Sequence, residues 1–203
     1  MQGSKLTLSK AEIKLMSDSD FFIQKNSITK KVSSLLSELN DDIEMLKLKF
    51  EASLPPDALK IAGKISKGEN YQGLPWMVLD NPRVFSNKNI FAFRTMFWWG
   101  NYFSFTFHLS GNYFQDCQKS ILKNWHKFSK KGYLVCINNQ PWVHHLATDN
   151  YQPMATFNSK KREQQIMTKH FFKISRKLDL RKWKDLKNFG AETFEEYVRL
   201  LGK

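Results

Sequence analysis

A chain of 203 residues, 41% hydrophobic and 25% charged, is long enough to bury a core of its own without covalent staples. Its two cysteines, Cys117 and Cys136, are too few for a disulfide framework. The longest apolar run falls far short of the roughly 20 residues that a membrane helix needs. The N-terminal stretch MQGSKLTLSK carries no apolar signal region. We therefore expect a soluble, cytoplasmic, single-domain protein. The formal charge of +13 is uneven. Residues 1–60 balance nine lysines against nine acids, whereas 61–140 carry ten basic and three acidic residues, and 141–203 carry thirteen and seven. Such a surface attracts anions without specifying which ones.

In chain order, Ser9 and Glu12 stand at capping-box spacing and predict a short helix over 9–16. Ile28, Val32, Leu35, Leu39, Ile43, Leu46 and Phe50 recur at steps of three and four, which predicts a long amphipathic helix over 27–51. Pro55 and Pro56 end it. A stripe this narrow suits packing along the domain's own sheet. It also has the spacing of a coiled-coil seam, so a homodimer through the 27–51 helix is a second expectation. Residues 57–73 read as a short helix and a loop. A strand over 74–80 and a turn at Asn81-Pro82 follow.

The segment 89–110, NIFAFRTMFWWGNYFSFTFHLS, is the most informative in the chain. Strict alternation predicts two aromatic strands joined at Gly100-Asn101. A two-residue loop would set Trp99 opposite Tyr102 and mix apolar with polar partners. A three-residue loop, Gly100-Asn101-Tyr102, would place Phe97 beside Phe105 and Arg94 beside His108. That register separates the faces, so it is the one expected. One face then gathers Arg94, Met96, Trp98, Ser104, Thr106 and His108.

Beyond the hairpin, a helix over 112–127 is expected, with Asn112 as cap and Phe114, Cys117, Ile121, Trp125 and Phe128 inward. Residues 133–137 read as a short strand and 141–146 as a returning edge strand. Residues 147–158 read as loop, 160–170 as helix-compatible and 171–180 as another alternating strand. A last helix is expected to be capped by Thr193, with Glu196 three residues later. The whole is an α+β fold: a mostly antiparallel sheet with an aromatic central hairpin, covered on one face by a long N-terminal and a C-terminal helix. The segments run as helical 1–56, sheet-forming 70–180 and helical 181–203.

Arg94 in so apolar a strand requires a partner, because an unpaired buried charge is costly. A ligand carboxylate or phosphate would satisfy the guanidinium in bidentate fashion, and an internal carboxylate would do so equally. In the first case Arg94, Trp98, Thr106 and His108 form the ligand site, with His108 and Thr106 as donors and Trp98 as wall. In the basic segment 160–187, Lys173, Arg176, Lys177, Arg181 and Trp183 form the alternative, a surface for single-stranded nucleic acid with Phe171 as a further stacking aromatic. The other reading of that segment places its aromatics in the core and its lysines in water. Adjacent His144 and His145 would point to opposite faces of a strand, so no shared metal is expected, and no cofactor fingerprint occurs. Both cysteines fall on apolar positions and are expected to be reduced and passive. No nucleophile elbow or phosphate loop is present, which leaves an enzyme as the third expectation. The leading expectation is a binding module for an anionic small molecule or peptide on the basic, aromatic face of the sheet.

Overall fold

The structure is a computed structural model that describes residues 6–201. The chain divides into two compact units, Met1–Ser34 and Leu35–Lys203, with the boundary inside one long helix. In the first unit, α1 (Lys10–Met16) starts with the full capping box of Ser9 and Glu12. The long helix, α2 (Ser19–Lys49), begins eight residues before the expected position. The reason is local: the carboxylate of Asp18 accepts the amide of Phe21, so the helix is capped before its apolar stripe begins.

The second unit is an α+β domain built on one seven-stranded antiparallel sheet. Its strands are β1 (Lys64–Tyr71), β2 (Leu74–Phe85), β3 (Ile90–Trp98), β4 (Tyr102–Ser110), β5 (Leu134–Cys136), β6 (Tyr151–Pro153) and β7 (Phe171–Asp179), in the order β1-β2-β3-β4-β7-β5-β6. Helices α3 (Pro56–Lys60), α4 (Asn112–Lys130), α5 (Ser159–Met167) and α6 (Leu186–Leu201) complete it. The sheet begins at Lys64, earlier than expected. Its first strand, KISKGENY, is largely polar and does not alternate, so it carries no hydrophobic signal.

The hairpin has a three-residue loop, but the loop is Trp99-Gly100-Asn101. Phe97 pairs with Phe103, Arg94 with Thr106 and Trp98 with Tyr102, so the expected Phe97–Phe105 and Arg94–His108 pairs are corrected by two residues along β4. The Trp99 amide donates to the Pro75 carbonyl, one step beyond the Trp76–Trp98 pair of β2 and β3, and Gly100 takes the left-handed φ of +70° at the apex. A shift of two residues leaves every side chain on its face. Face segregation therefore stands as expected, although the pairing does not.

The apolar face carries Phe91, Phe93, Phe97, Phe103, Phe105, Phe107 and Leu109, all buried. Helices α4 and α6 cover it with rings: Phe107 stacks on Tyr197, Phe172 on Phe114, and Phe93 lies against Phe194. Each such pair adds about 0.5–1.5 kcal/mol beyond area burial. From α2, Leu36, Leu39 and Ile43 are fully buried, and so is Lys47. The Lys47 ammonium is held by Glu44, the Ile61 carbonyl and Asn81. The buried stripe thus leaves Leu46 and Phe50 only half covered.

Other expectations shift for local reasons. The strand before the hairpin does not stop at Asp80 but runs on through an irregularity at the cis Asn81–Pro82 bond to Phe85. The N-cap of α4 is Gly111, not Asn112, at φ +59°. A Cβ on Gly111 would lie 2.1 Å from Asn89 Oδ1 and 2.3 Å from the Lys88 carbonyl, so no other residue fits. Thr193 is buried in mid-helix and donates to the Phe189 carbonyl, because α6 already begins at Leu186. Residues 141–146 pair with no strand; β5 takes β6, from the expected loop, as its partner instead.

At Gly190 on α6, an added Cβ would approach Leu39 Cδ2 to 2.8 Å and Phe105 Cε1 to 2.9 Å, both on fully buried residues with nowhere to move. Gly190→Val is expected to destabilise the second unit by about 2–3 kcal/mol, the upper part of the overpacking range. Urea denaturation should show a lower midpoint at an unchanged slope.

Candidate functional site: a closed polar hollow on the sheet

The opposite face of the sheet is polar at its centre. Cross-strand pairing places Asp80, Arg94, Thr106 and Ser175 side by side on β2, β3, β4 and β7, with His108 and Lys173 one step along. A strap over 137–150 lies on this face and is fixed mainly through its backbone. Tyr71 Oη accepts the amides of His144 and His145, at 2.7 and 2.9 Å, and Tyr102 Oη accepts that of Leu146 at 2.7 Å. Lys173 Nζ donates to the carbonyls of Pro141 and Val143, each at 2.8 Å. Asn150, fully buried, donates to the carbonyls of Val143 and His145.

Arg94 makes a bidentate pair with Asp80: Nε to Oδ1 at 2.7 Å and Nη2 to Oδ2 at 2.8 Å. Its Nη1 lies 3.0 Å from His144 Nε2. Guanidinium has only donors, so Nε2 must accept and the imidazole must be neutral. Burial, reinforced by Arg94 and Lys173, holds His144 down at about 2. Burial, then Lys173 and Arg94, holds His108 down at about 3. Burial also lowers Lys173 to about 8. Thr106 Oγ1 bonds Ser175 Oγ at 2.9 Å. His108 Nε2 is buried with no hydrogen-bond partner among the described residues.

Phe85, Ala92, Arg94, Thr106, His108, Trp142, His144 and Lys173 enclose a hollow of about 10 Å³, room for about one water. Of the four residues expected from sequence, Arg94, Thr106 and His108 line it together. Trp98 does not: it packs with Val78 and Met96 and donates to the Tyr71 carbonyl. Trp142, edge-on to His108, supplies the wall. Asp80, Trp142 and His144 were missed, because β2 register and a strap without regular structure leave no periodic signal. An acid directly after the apolar run Trp76–Leu79 was the one hint of Asp80.

The nucleic-acid candidates are not brought together. Lys173 is 1% exposed and belongs to the hollow. The Arg176 guanidinium lies over the rings of Tyr133 and Phe189 and beside Glu196 and Thr193. Arg181 pairs with Asp179 in water, Lys177 is exposed, Trp183 is half-buried, and Phe171 is buried. Both cysteines are free, and burial raises the Cys136 thiol and takes that of Cys117 up to about 11. Among the described residues no three His, Cys, Asp or Glu side chains gather as metal ligands, and no helix is long and apolar enough to cross a membrane. Comparison with family models, curated proteins and solved structures finds no match.

Asp80→Asn leaves Arg94 without its counter-charge and is expected to cost about 3 kcal/mol, the lower end for breaking a buried pair, by chemical denaturation. A second expectation concerns acid. In the unfolded chain His108 and His144 titrate near 6.5, but in the fold they do so only at about 3 and about 2. Their contribution is therefore complete above pH 6.5 and is lost as pH falls below it, by up to about 1.4 kcal/mol per pH unit for each histidine. Unfolding free energies of His144→Gln between pH 7 and 4 should show a shallower acid slope than wild type, by about one proton.

Proposed function

We propose that the protein is a binding module for a small anion, a carboxylate or phosphate group, received on the polar face of the sheet beneath the strap. One observation carries this reading. Arg94 and Lys173 bring two positive charges to the hollow, Asp80 brings one negative charge, and both histidines are neutral. Among the described residues no carboxylate lies within ion-pair distance of Lys173. One buried positive charge thus lacks a counter-ion, and an anion would supply it. His108 Nε2 offers an unused hydrogen-bonding atom at the same place.

The hollow admits no more than a water as it stands, so a ligand enters by lifting the strap. An anionic oxygen would replace the Pro141 and Val143 carbonyls at Lys173 and meet Arg94 on the far side. The strap is suited to this exchange. It is irregular, and Lys173, Tyr71 and Tyr102 hold it through backbone groups, with Leu146 and Trp142 its apolar contacts to the sheet.

Thermal unfolding of the full chain in phosphate, sulfate, acetate and succinate, each against chloride at equal ionic strength, tests the reading. A saturable rise in Tm with at least one oxyanion is expected. Lys173→Met should abolish the rise. Arg94→Lys, whose single ammonium cannot pair with Asp80 and also present a donor to the hollow as the guanidinium does, should weaken binding while keeping the fold. A panel in which every anion behaves as chloride does would overturn the proposal.

A further inference from the structure

A second cavity, about 370 Å³, opens between the C-terminal ends of α4 and α6. This lies within the range of small-molecule sites. Its lining divides into three chemical parts. Phe128 and Leu200, both nearly fully buried, form an apolar floor. Lys127, Lys130, Lys131 and Arg199 form the rim. Asn124 is 9% exposed and lines the cavity, and its side chain makes no hydrogen bond to any described residue. Its amide is open to the cavity, where it can donate to or accept from whatever enters.

The charge balance at the rim selects the sign of the ligand. Glu196 is the only acid among the described residues that line the cavity, and it is already occupied by Lys131, Tyr133 and Arg176. Arg199 is occupied by Glu195. Lys127 and Lys130 have no carboxylate within ion-pair distance among the described residues and remain free to meet a ligand. The sequence places them three apart on the last turn of α4, so their ammonium groups share one side of the opening.

We infer that this cavity binds an amphiphilic organic anion. A carboxylate or phosphate head sits between Lys127 and Lys130, the Asn124 amide donates to the head, and an acyl or aryl body lies on Phe128 and Leu200. The site is separate from the hollow on the sheet and does not depend on it.

Isothermal titration of the full chain with decanoate and with decyl phosphate, at low salt and below micelle formation, reads the site directly. Decanol and inorganic phosphate serve as the neutral and body-less controls. Saturable one-to-one binding of at least one amphiphile is expected, with both controls at least tenfold weaker. Lys127→Ala combined with Lys130→Ala alters only exposed residues and should weaken binding tenfold or more. Asn124→Leu should remove binding, with the fold checked by circular dichroism. Arg94→Lys, at the other site, should leave it unchanged. The inference is overturned if neither amphiphile binds or if decanol binds as well as decanoate. It is overturned too if the lysine pair proves irrelevant, or if Arg94→Lys weakens binding as much. Binding of a single-stranded oligonucleotide that depends on Lys127 and Lys130, with no amphiphile bound, would also overturn it.

Discussion

The ion pair between Asp80 and Arg94 is the contact on which the polar side of the sheet depends. Adjacent strands place the two residues directly opposite, and the guanidinium forks onto both carboxylate oxygens. This neutralises a charge that could not otherwise lie beneath the strap. It also orients the remaining edge of the guanidinium toward His144, which fixes that imidazole as a neutral acceptor. The strap is thereby joined to the sheet at its middle, between Lys173 on one side and the two tyrosine hydroxyls on the other.

The two faces of the sheet are closed by different physics. On one, α4 and α6 bury interlocking rings, and the stabilisation is spread over many contacts that exclude water. On the other, the cover is a chain segment held by hydrogen bonds from single side chains to its backbone. Packed cores yield only as a whole, whereas a segment held by a few hydrogen bonds opens at lower cost. The strapped face therefore opens at lower cost than the helix-covered one, and it is there that the buried Lys173 charge and the His108 imidazole lie.

The excess of basic residues is distributed in the same spirit. Lys173 and Lys47 are fully buried, each held by carbonyl or carboxylate oxygens. Arg176 sits between two aromatic rings with Glu196 at its tip. Charges held in this way are unavailable to a polyanion, although Lys173 and Arg176 read in the sequence as part of one basic run. The burial of Phe171 points the same way, toward a core role for that aromatic.

Period-two alternation in 89–110 determined, without any structure, that the hairpin exists, that its faces separate, and that Arg94, Thr106 and His108 share the polar one. The capping box at Ser9 and the apolar stripe of α4 were equally legible, since each depends on neighbours within a few residues, whereas the stripe expected on α2 held only at Val32, Leu39 and Ile43, with Leu36 buried in place of Leu35 and Ile28 exposed. What closes over Arg94 was not legible. Its carboxylate partner sits 14 residues earlier, on a neighbouring strand whose register against β3 has no local signature. Its imidazole neighbour sits 50 residues later, in a strap without periodicity. Trp98, on the correct face by parity, lies along β3 beyond the hollow, and only the pairing of β2 with β3 shows that it packs on Val78 instead. The cavity at Asn124 was hidden for a related reason. A helix announces its buried stripe by spacing, but which turn of another helix leaves a gap beside it is decided by the crossing of α4 and α6. Local sequence fixes what each segment is, because hydrogen bonds and side-chain periods act over a few residues. The meeting of segments far apart in the chain is decided by packing, and the chemistry of both candidate sites arises there.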